Sequence, residues 1–204
     1  MNKYIDLLRL KIKGYIIIDD FFPDDVCTYL REKSLNTEKY NDRYWDYKSI
    51  DFDHADYITE SLKDISDKYV VPKISLARAE KYNRSWSFVY DNVARGVLPH
   101  SDPSFINVNI WVTPDECVED FNKNGLRIYR KPSPITWDKL PQDYDGHHSS
   151  EIKSYLKHSK YDRIPYKYNR AIIFKGNTFH STDNVHMKHG EENRRVNYTF
   201  LYEY

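Results

Sequence analysis

RRVNYTFLY, residues 194–202, is the stretch whose reading decides the fold. Arg195, Asn197 and Thr199 alternate with Val196, Tyr198 and Phe200. A period of two is that of an extended strand with one apolar face. The apolar set belongs against outer helices or a sandwich core, and the polar set then lines a cavity. An arginine pointing into such a cavity needs an anionic partner, because an unpaired buried charge is costly. Its planar fork suits the carboxylate of a small acid. A solvent-facing edge strand with Arg195 in water satisfies the same pattern. Arg194 is one residue out of phase and points the other way.

Outward from this strand, runs rich in aromatic and β-branched residues recur between turn residues: Trp86–Tyr90, Ile106–Thr113, Leu126–Tyr129 and Ala171–Phe174. Strands this short, joined by loops, predict an antiparallel sandwich or barrel, mainly β with flanking α-helices. Before Pro72 the texture differs. Gly14 to Phe22 reads as a strand, and a helix follows Pro23 with apolar residues from Val26 to Lys33. A second helix is expected from about Ala55 to Tyr69, with Ile58, Leu62, Ile65 and Tyr69 on one face. Residues 1–204 read as one domain: 1–72 supply a strand and supporting helices, and 73–204 the β core. Between Arg130 and Asn169 the chain is polar, with Pro132, Pro134, Pro141 and Pro165 and one helix around Ser150–His158. This insertion, 130–168, reads equally as a lid or as a solvated excursion.

Lys+Arg and Asp+Glu are both 31 in 204 residues, so the net charge is zero. That balance argues against a nucleic-acid partner, whose backbone is held by excess positive charge. Cys27 and Cys117 are too few for a disulfide framework and form no CxxC pair. They read as reduced thiols of a cytoplasmic protein. Arg9, Lys11 and Lys13 interrupt the first apolar run, and no stretch approaches a membrane span. A soluble protein without a membrane partner is expected, and the sequence carries no signal for an oligomeric state.

Candidate chemistry starts at Pro99-His100-Ser101-Asp102. On an extended chain, residues two apart point the same way, so His100 and Asp102 converge. Such a pair alone is a weak signal among 8 histidines. His180 follows the apolar run AIIF and a Lys-Gly-Asn turn, where a barrel rim would face the same mouth. Two histidines and a carboxylate on one side of a metal leave the other side open, the arrangement of non-haem Fe(II) oxygenases. On Ile106–Thr113, Asn107, Asn109 and Trp111 alternate with Val108, Ile110 and Val112. Buried amides need partners, which a bound keto acid or the neighbouring strands supply. Asn109 is the preferred cosubstrate contact, followed by Asn107. Trp111, Arg127 and Tyr129 are the substrate-contact candidates at the same mouth. His147, His148, His158, His186 and His189 read as solvated surface residues.

Taken together, His100-x-Asp102, His180 and an arginine opening the last strand resemble the Fe(II)- and 2-oxoglutarate-dependent oxygenases. LPHSDPSFINVNIWVTPDE (98–116), NRAIIFKGNTFHSTD (169–183) and ENRRVNYTFLYEY (192–204) are similar in particular to a bacterial and phage branch of that family. GYIIIDDFFPDDVCTYLREK (14–33) resembles its entry strand and helix. The resemblance implies a double-stranded β-helix, a cupin-like jelly roll. It implies Fe(II) on His100, Asp102 and His180, with 2-oxoglutarate and O2 as cosubstrates. Arg195 matches the arginine that pairs with the distal carboxylate of 2-oxoglutarate. Tyr90, ten residues before His100, matches a cosubstrate-bonding tyrosine of prolyl-hydroxylase-like members. Asn197 and Thr199 match the R-x-N-x-T pattern of the nucleic-acid-demethylating branch. That branch's further arginine is absent, with Leu201 in its place, which argues against a repair enzyme.

The 15 residues from His180 to Arg195 exceed the family's usual nine to eleven. Arg195 therefore reaches its place only if NVHMKHGEEN loops outward. The implied activity is hydroxylation of a small molecule, amino acid or peptide, releasing succinate and CO2. The alternatives are a jelly-roll metal enzyme without 2-oxoglutarate and a non-catalytic binding module of the same fold.

Overall fold

The computed structural model describes residues 10, 12–37, 42–43, 47–51, 57–74, 81–131, 133 and 149–203. Its centre is a seven-stranded antiparallel sheet in the order β1 (Tyr15–Ile18), β9 (Ala171–Lys175), β6 (Ile106–Trp111), β12 (Val196–Glu203), β4 (Lys81–Tyr90), β3 (Tyr47–Asp51) and β2 (Asp42–Arg43). A smaller sheet runs β10 (His180–Thr182), β7 (Leu126–Tyr129), β8 (Tyr161–Ile164). β5 (Val93–Ala94) pairs with β11 (Val185–His186) as a two-stranded ladder. β1 and β3 lie within the first 72 residues, so that segment contributes strands to the large sheet as well as helices.

β12 sits between β4 and β6, so both edges of the decisive strand are paired and it is not an edge strand in water. Its even-numbered residues Val196, Tyr198, Phe200 and Tyr202 join Val108, Ile110, Ala171 and Ile173 in one core cluster. On that side pack the helix α1 (Asp24–Asn36), through Val26, Cys27 and Leu30, and Leu62, Val70 and Ile74 of the following helical segments. Asp24 and Asp25 in its first turn and Lys33 in its last complement the dipole of α1. The second predicted helix exists as α2 (Tyr57–Ile65), followed by one π-helical turn at Ser66–Val70 and the short α3 (Val71–Ile74). The wider turn puts Ser66 and Val70 inside in place of Tyr69, and Ser66 thereby reaches the Tyr202 hydroxyl at 2.5 Å. Ile58 on the predicted face has its side chain outside the described residues.

The opposite side of the sheet faces the smaller sheet and the β5–β11 ladder. A second core lies between them, including Tyr90, Val97, Trp111, Leu126, Ile128, Tyr166, Ile172, Phe174, Val185 and Met187. Two predicted segments take a different form. The 130–168 insertion holds the helix α4 (Ser149–Leu156) and the strand β8, which pairs with β7 in register Leu126↔Ile164. Residues 132 and 134–148 of that insertion, with His147 and His148, lie outside the described residues, and with them part of the segment expected as a lid. The long His180–Arg195 connection forms β11 and a turn of 3-10 helix at Glu191–Asn193, with Gly190 at φ +118°. The extra residues run sideways to pair with β5, and Val185 and Met187 fold back into the second core. Arg195 therefore enters β12 in phase.

Candidate active site

Three separate segments close on one point. The backbone of His100 bridges to His180 in both directions, N–H to carbonyl at 3.0 and 2.9 Å. Asp102 donates its N–H to the Gly176 carbonyl at 3.0 Å. A Cβ on Gly176 would lie 1.9 Å from the Ser104 carbonyl oxygen, so only glycine lets the β9–β10 turn approach the Asp102 loop. Gly96 plays the same part beside β10, where a Cβ would meet the Thr182 carbonyl oxygen at 2.0 Å.

His100 Nδ1 lies 2.7 Å from the Leu98 carbonyl oxygen, and His180 Nδ1 lies 3.1 Å from that of Thr178. A carbonyl only accepts, so both rings carry a proton on Nδ1 and turn Nε2 inward. The two Nε2 atoms stand 3.6 Å and 3.4 Å from the Asp102 carboxylate oxygens. The donor atoms of all three residues lie within 4.8 Å of one another. Burial pushes the Asp102 carboxyl up from its ordinary value, against the pull of His100 and the Asn107 amide. Burial, reinforced by His100, holds His180 well below the usual imidazole range. His180 is therefore neutral, and its contact with Asp102 is too long for a hydrogen bond and is not an ion pair. A cation among them resolves this conflict, since it favours the ionised carboxylate and the neutral imidazoles together. Donors at right angles around an ion at about 2.1 Å stand about 3 Å apart, close to the spacing found.

Asn107 supports this cluster directly. Its amide nitrogen donates to Asp102 Oδ2, and its oxygen accepts from the Ser104 hydroxyl. Both ends of the amide are thus engaged in orienting Asp102, a different place from the expected cosubstrate contact. Deeper on the same face, the register sets Asn107, Asn109 and Trp111 of β6 beside Leu201, Thr199 and Asn197 of β12. Arg195 precedes them with 1% of its surface exposed. Its guanidinium carbon lies 4.7 Å from the Tyr90 ring centre, 5.7 Å from that of Trp111 and 5.8 Å from that of Tyr166. One terminal nitrogen donates to Asn197 Oδ1 at 3.1 Å, while Nε has no partner. No carboxylate among the described residues pairs with it. Arg194, out of phase, is held outside near Asp91 and Glu191 at 3.7 and 3.3 Å.

Asn109 Nδ2 donates to Thr199 Oγ1 at 3.0 Å, leaving its Oδ1 without a partner. The Trp111 indole N–H is likewise buried and unpartnered. The Tyr90 hydroxyl lies 3.3 Å from Thr182 Oγ1, two residues beyond His180, which ties the arginine end of this surface to the histidine end. Trp111, expected at the mouth, is instead fully buried and stacked on Tyr166 at 5.0 Å. Arg127 and Tyr129 face the other way. Ile128 opposes His180 in the register, so its neighbours on β7 point to the far face of the small sheet. There Arg127 lies 2.7 Å from Asp183, which it shares with Arg163, and Tyr129 packs beside Ile152, Leu156 and Phe179. Sequence reasoning missed Ser104, Gly176 and Tyr166. The Lys-Gly-Asn turn marked Gly176; nothing marked Tyr166.

The arrangement is a double-stranded β-helix carrying a His-x-Asp…His donor set at one end and a buried arginine deeper in. No family model matches the chain, and no curated protein matches its sequence. Solved structures do match in fold. An oxidoreductase of the 2OG-Fe(II) oxygenase family from Burkholderia pseudomallei aligns over 99% of this chain and 90% of its own, at 12% identity and TM-score 0.63. The epimerase SnoN, in complex with Fe3+, alpha ketoglutarate and nogalamycin RO, aligns over 98% and 82% at 14% identity and TM-score 0.66. A prolyl hydroxylase in complex with a hypoxia inducible factor peptide fragment from Trichoplax adhaerens aligns over 98% and 88% at 14% identity and TM-score 0.64. At these identities the likeness establishes the fold. No helix among the described residues is long and apolar enough to cross a membrane.

Proposed function

We propose that this chain is an Fe(II)- and 2-oxoglutarate-dependent dioxygenase that hydroxylates a C–H bond of a small molecule, amino acid or peptide. One observation carries the reading. A buried guanidinium without a carboxylate shares the inner face of the large sheet with Asn107, which holds Asp102 of a two-histidine, one-carboxylate donor set. The donor set fits iron, because two imidazoles and one carboxylate converging from one side would leave the other side of the ion open. The arginine fits a second, remote carboxylate on the cosubstrate.

His100 and His180 would hold the metal through Nε2, with Asp102 oriented by Asn107 and Ser104 as the third ligand. Arg195, steadied by Asn197, would bind the distal carboxylate of 2-oxoglutarate. Asn109 suits the same acid. Turned over, its oxygen accepts from the Thr199 hydroxyl and its nitrogen becomes free to donate to the bound acid. Tyr90 walls the route between metal and arginine. Its ring, with those of Trp111 and Tyr166, keeps water from the guanidinium, so a carboxylate placed there is bound strongly. Bound iron and 2-oxoglutarate supply the oxidising power, with O2 consumed, succinate and CO2 released and one oxygen atom passed to the substrate.

Proteins of this fold named as an epimerase and a carbocyclase act with alpha ketoglutarate, so the product of turnover tells hydroxylation from other outcomes. The test is anaerobic addition of Fe(II) and 2-oxoglutarate. A weak visible absorption band that requires both, and that His180→Ala abolishes, is the expected result. Metal binding with no response to 2-oxoglutarate would transfer the chain to a metal enzyme of another kind. Loss of both responses would leave a binding module.

A further inference from the structure

We propose that the Trp111 indole N–H is a second donor to the distal carboxylate of the cosubstrate, making with Arg195 a two-point cradle that selects its length. The inference rests on the reading of the site as a 2-oxoglutarate site and deepens it. Trp111 ends β6 on the inner face, directly opposite Asn197 of β12. It is fully buried, yet among the described residues its Nε1–H has no acceptor, and neither has the adjacent Arg195 Nε–H. Buried donors of this strength are almost always paired. Two of them orphaned within one ring of side chains mark the place of a missing acceptor with two oxygens. A carboxylate has that geometry, one oxygen to each donor, and its charge offsets the buried guanidinium.

The surroundings fix what kind of acid fits. Tyr166 stacks on Trp111 and lies over the guanidinium, but its hydroxyl is spent on the Thr113 carbonyl, so it closes the floor without adding a donor. Burial also holds the Tyr166 hydroxyl protonated, which keeps a like charge away from the bound acid. Asn197 takes one terminal nitrogen of Arg195 and sets the plane of the fork. With the floor sealed and both donors fixed on strands, an acid whose carboxylate falls short of them loses both bonds. An acid longer than the span from floor to metal has nowhere to go. The cradle therefore acts as a ruler measured from the metal.

The experiment uses the full chain with its indole nitrogens labelled with 15N and Zn(II) in place of iron. 2-Oxoglutarate is then titrated, with oxaloacetate and 2-oxoadipate as the shorter and longer keto acids. The Trp111 indole resonance is assigned by its loss in Trp111→Phe, or by through-space contact to the Tyr166 ring if that variant does not fold. A downfield shift of that resonance on adding 2-oxoglutarate is expected. In Trp111→Phe, calorimetry should show 2-oxoglutarate affinity about 10- to 100-fold weaker with Zn(II) affinity unchanged, and weaker discrimination against the other two acids. If 2-oxoglutarate binds while the resonance stays put, or if Trp111→Phe binds it as well as the native chain, the cradle is overturned and the assignment of the site stands. If no 2-oxoglutarate binds the native chain at all, the assignment of the site falls and the cradle with it.

Discussion

The two faces of the large sheet are built by the same strands and treat polar groups in opposite ways. On the helix side every buried hydroxyl of β4 and β12 is spent inside the protein. Tyr198 donates to the Leu30 carbonyl and lies 2.7 Å from the Ser34 hydroxyl, which also meets Ser87. Tyr202 meets Ser66, and Ser85 meets Tyr82. On the inner side, one residue out of phase, Arg195 Nε, Trp111 Nε1 and Asn109 Oδ1 are buried with no hydrogen-bond partner among the described residues. A closed network of hydroxyls specifies packing. A cluster of orphans costs free energy in the unliganded chain, a cost that a bound partner with matching groups would remove.

The sharpest way to break this contrast is to remove one polar group from each face. Arg195→Met should lower 2-oxoglutarate affinity about a hundredfold or more while metal binding survives. Its unliganded stability should hold or rise, since an unpaired buried charge is replaced by an apolar chain of similar length. Tyr198→Phe should do the reverse, lowering stability by about 1–2 kcal/mol with cosubstrate affinity untouched. Calorimetry and thermal unfolding of the two variants check both halves, and equal destabilisation would mean that the faces do not differ.

Gly176→Ala sharpens the comparison from the metal end. Its Cβ would strike the Ser104 carbonyl, so a loss of about 3 kcal/mol is expected. A parallel fall in metal affinity should follow as Asp102 shifts. Stability lost with metal affinity intact would detach the turn from the site.

A control at the end of β1, outside both core clusters, gives the smallest effect. Arg170 first, then Lys167, hold the Asp19 carboxyl down to about 2 against burial, from an ordinary 3.8. Because the folded value is the lower one, the stabilisation is complete above pH 3.8 and is lost as pH falls through about 2. Asp19→Asn should cost under about 1 kcal/mol at neutral pH, the group being partly exposed, and nothing once the carboxyl is protonated in both states. Denaturant melts at two pH values read it.

Strands with an alternating apolar face (β6, β7, β12) or a continuous apolar run (β9) were legible along the chain, and these four appear within a residue or two of their expected bounds. β5, β10 and β11 were not, because two or three residues carry too little periodicity and depend on a partner strand for their existence, and β8 was not, because its apolar residues Tyr161 and Ile164 are three apart and do not alternate. The His100–Asp102–His180 cluster was legible because His100 and Asp102 are two apart and His180 follows an apolar strand. Arg127 and Tyr129 were misplaced because an alternating pattern reveals that two faces exist without revealing which one looks inward. Asn107 shows the same limit: its burial was readable, but its engagement with Asp102 depends on the Asp102 loop folding back over β6.

Local periodicity by itself determined which residues share a face, since that needs only the geometry of an extended chain. Tertiary structure alone decided which face meets the helices, how the residues between His180 and Arg195 step aside onto β5, and where donors are left without acceptors. Those outcomes depend on segments more than a hundred residues apart packing together, and only that packing removes water from the groups whose pairing then matters.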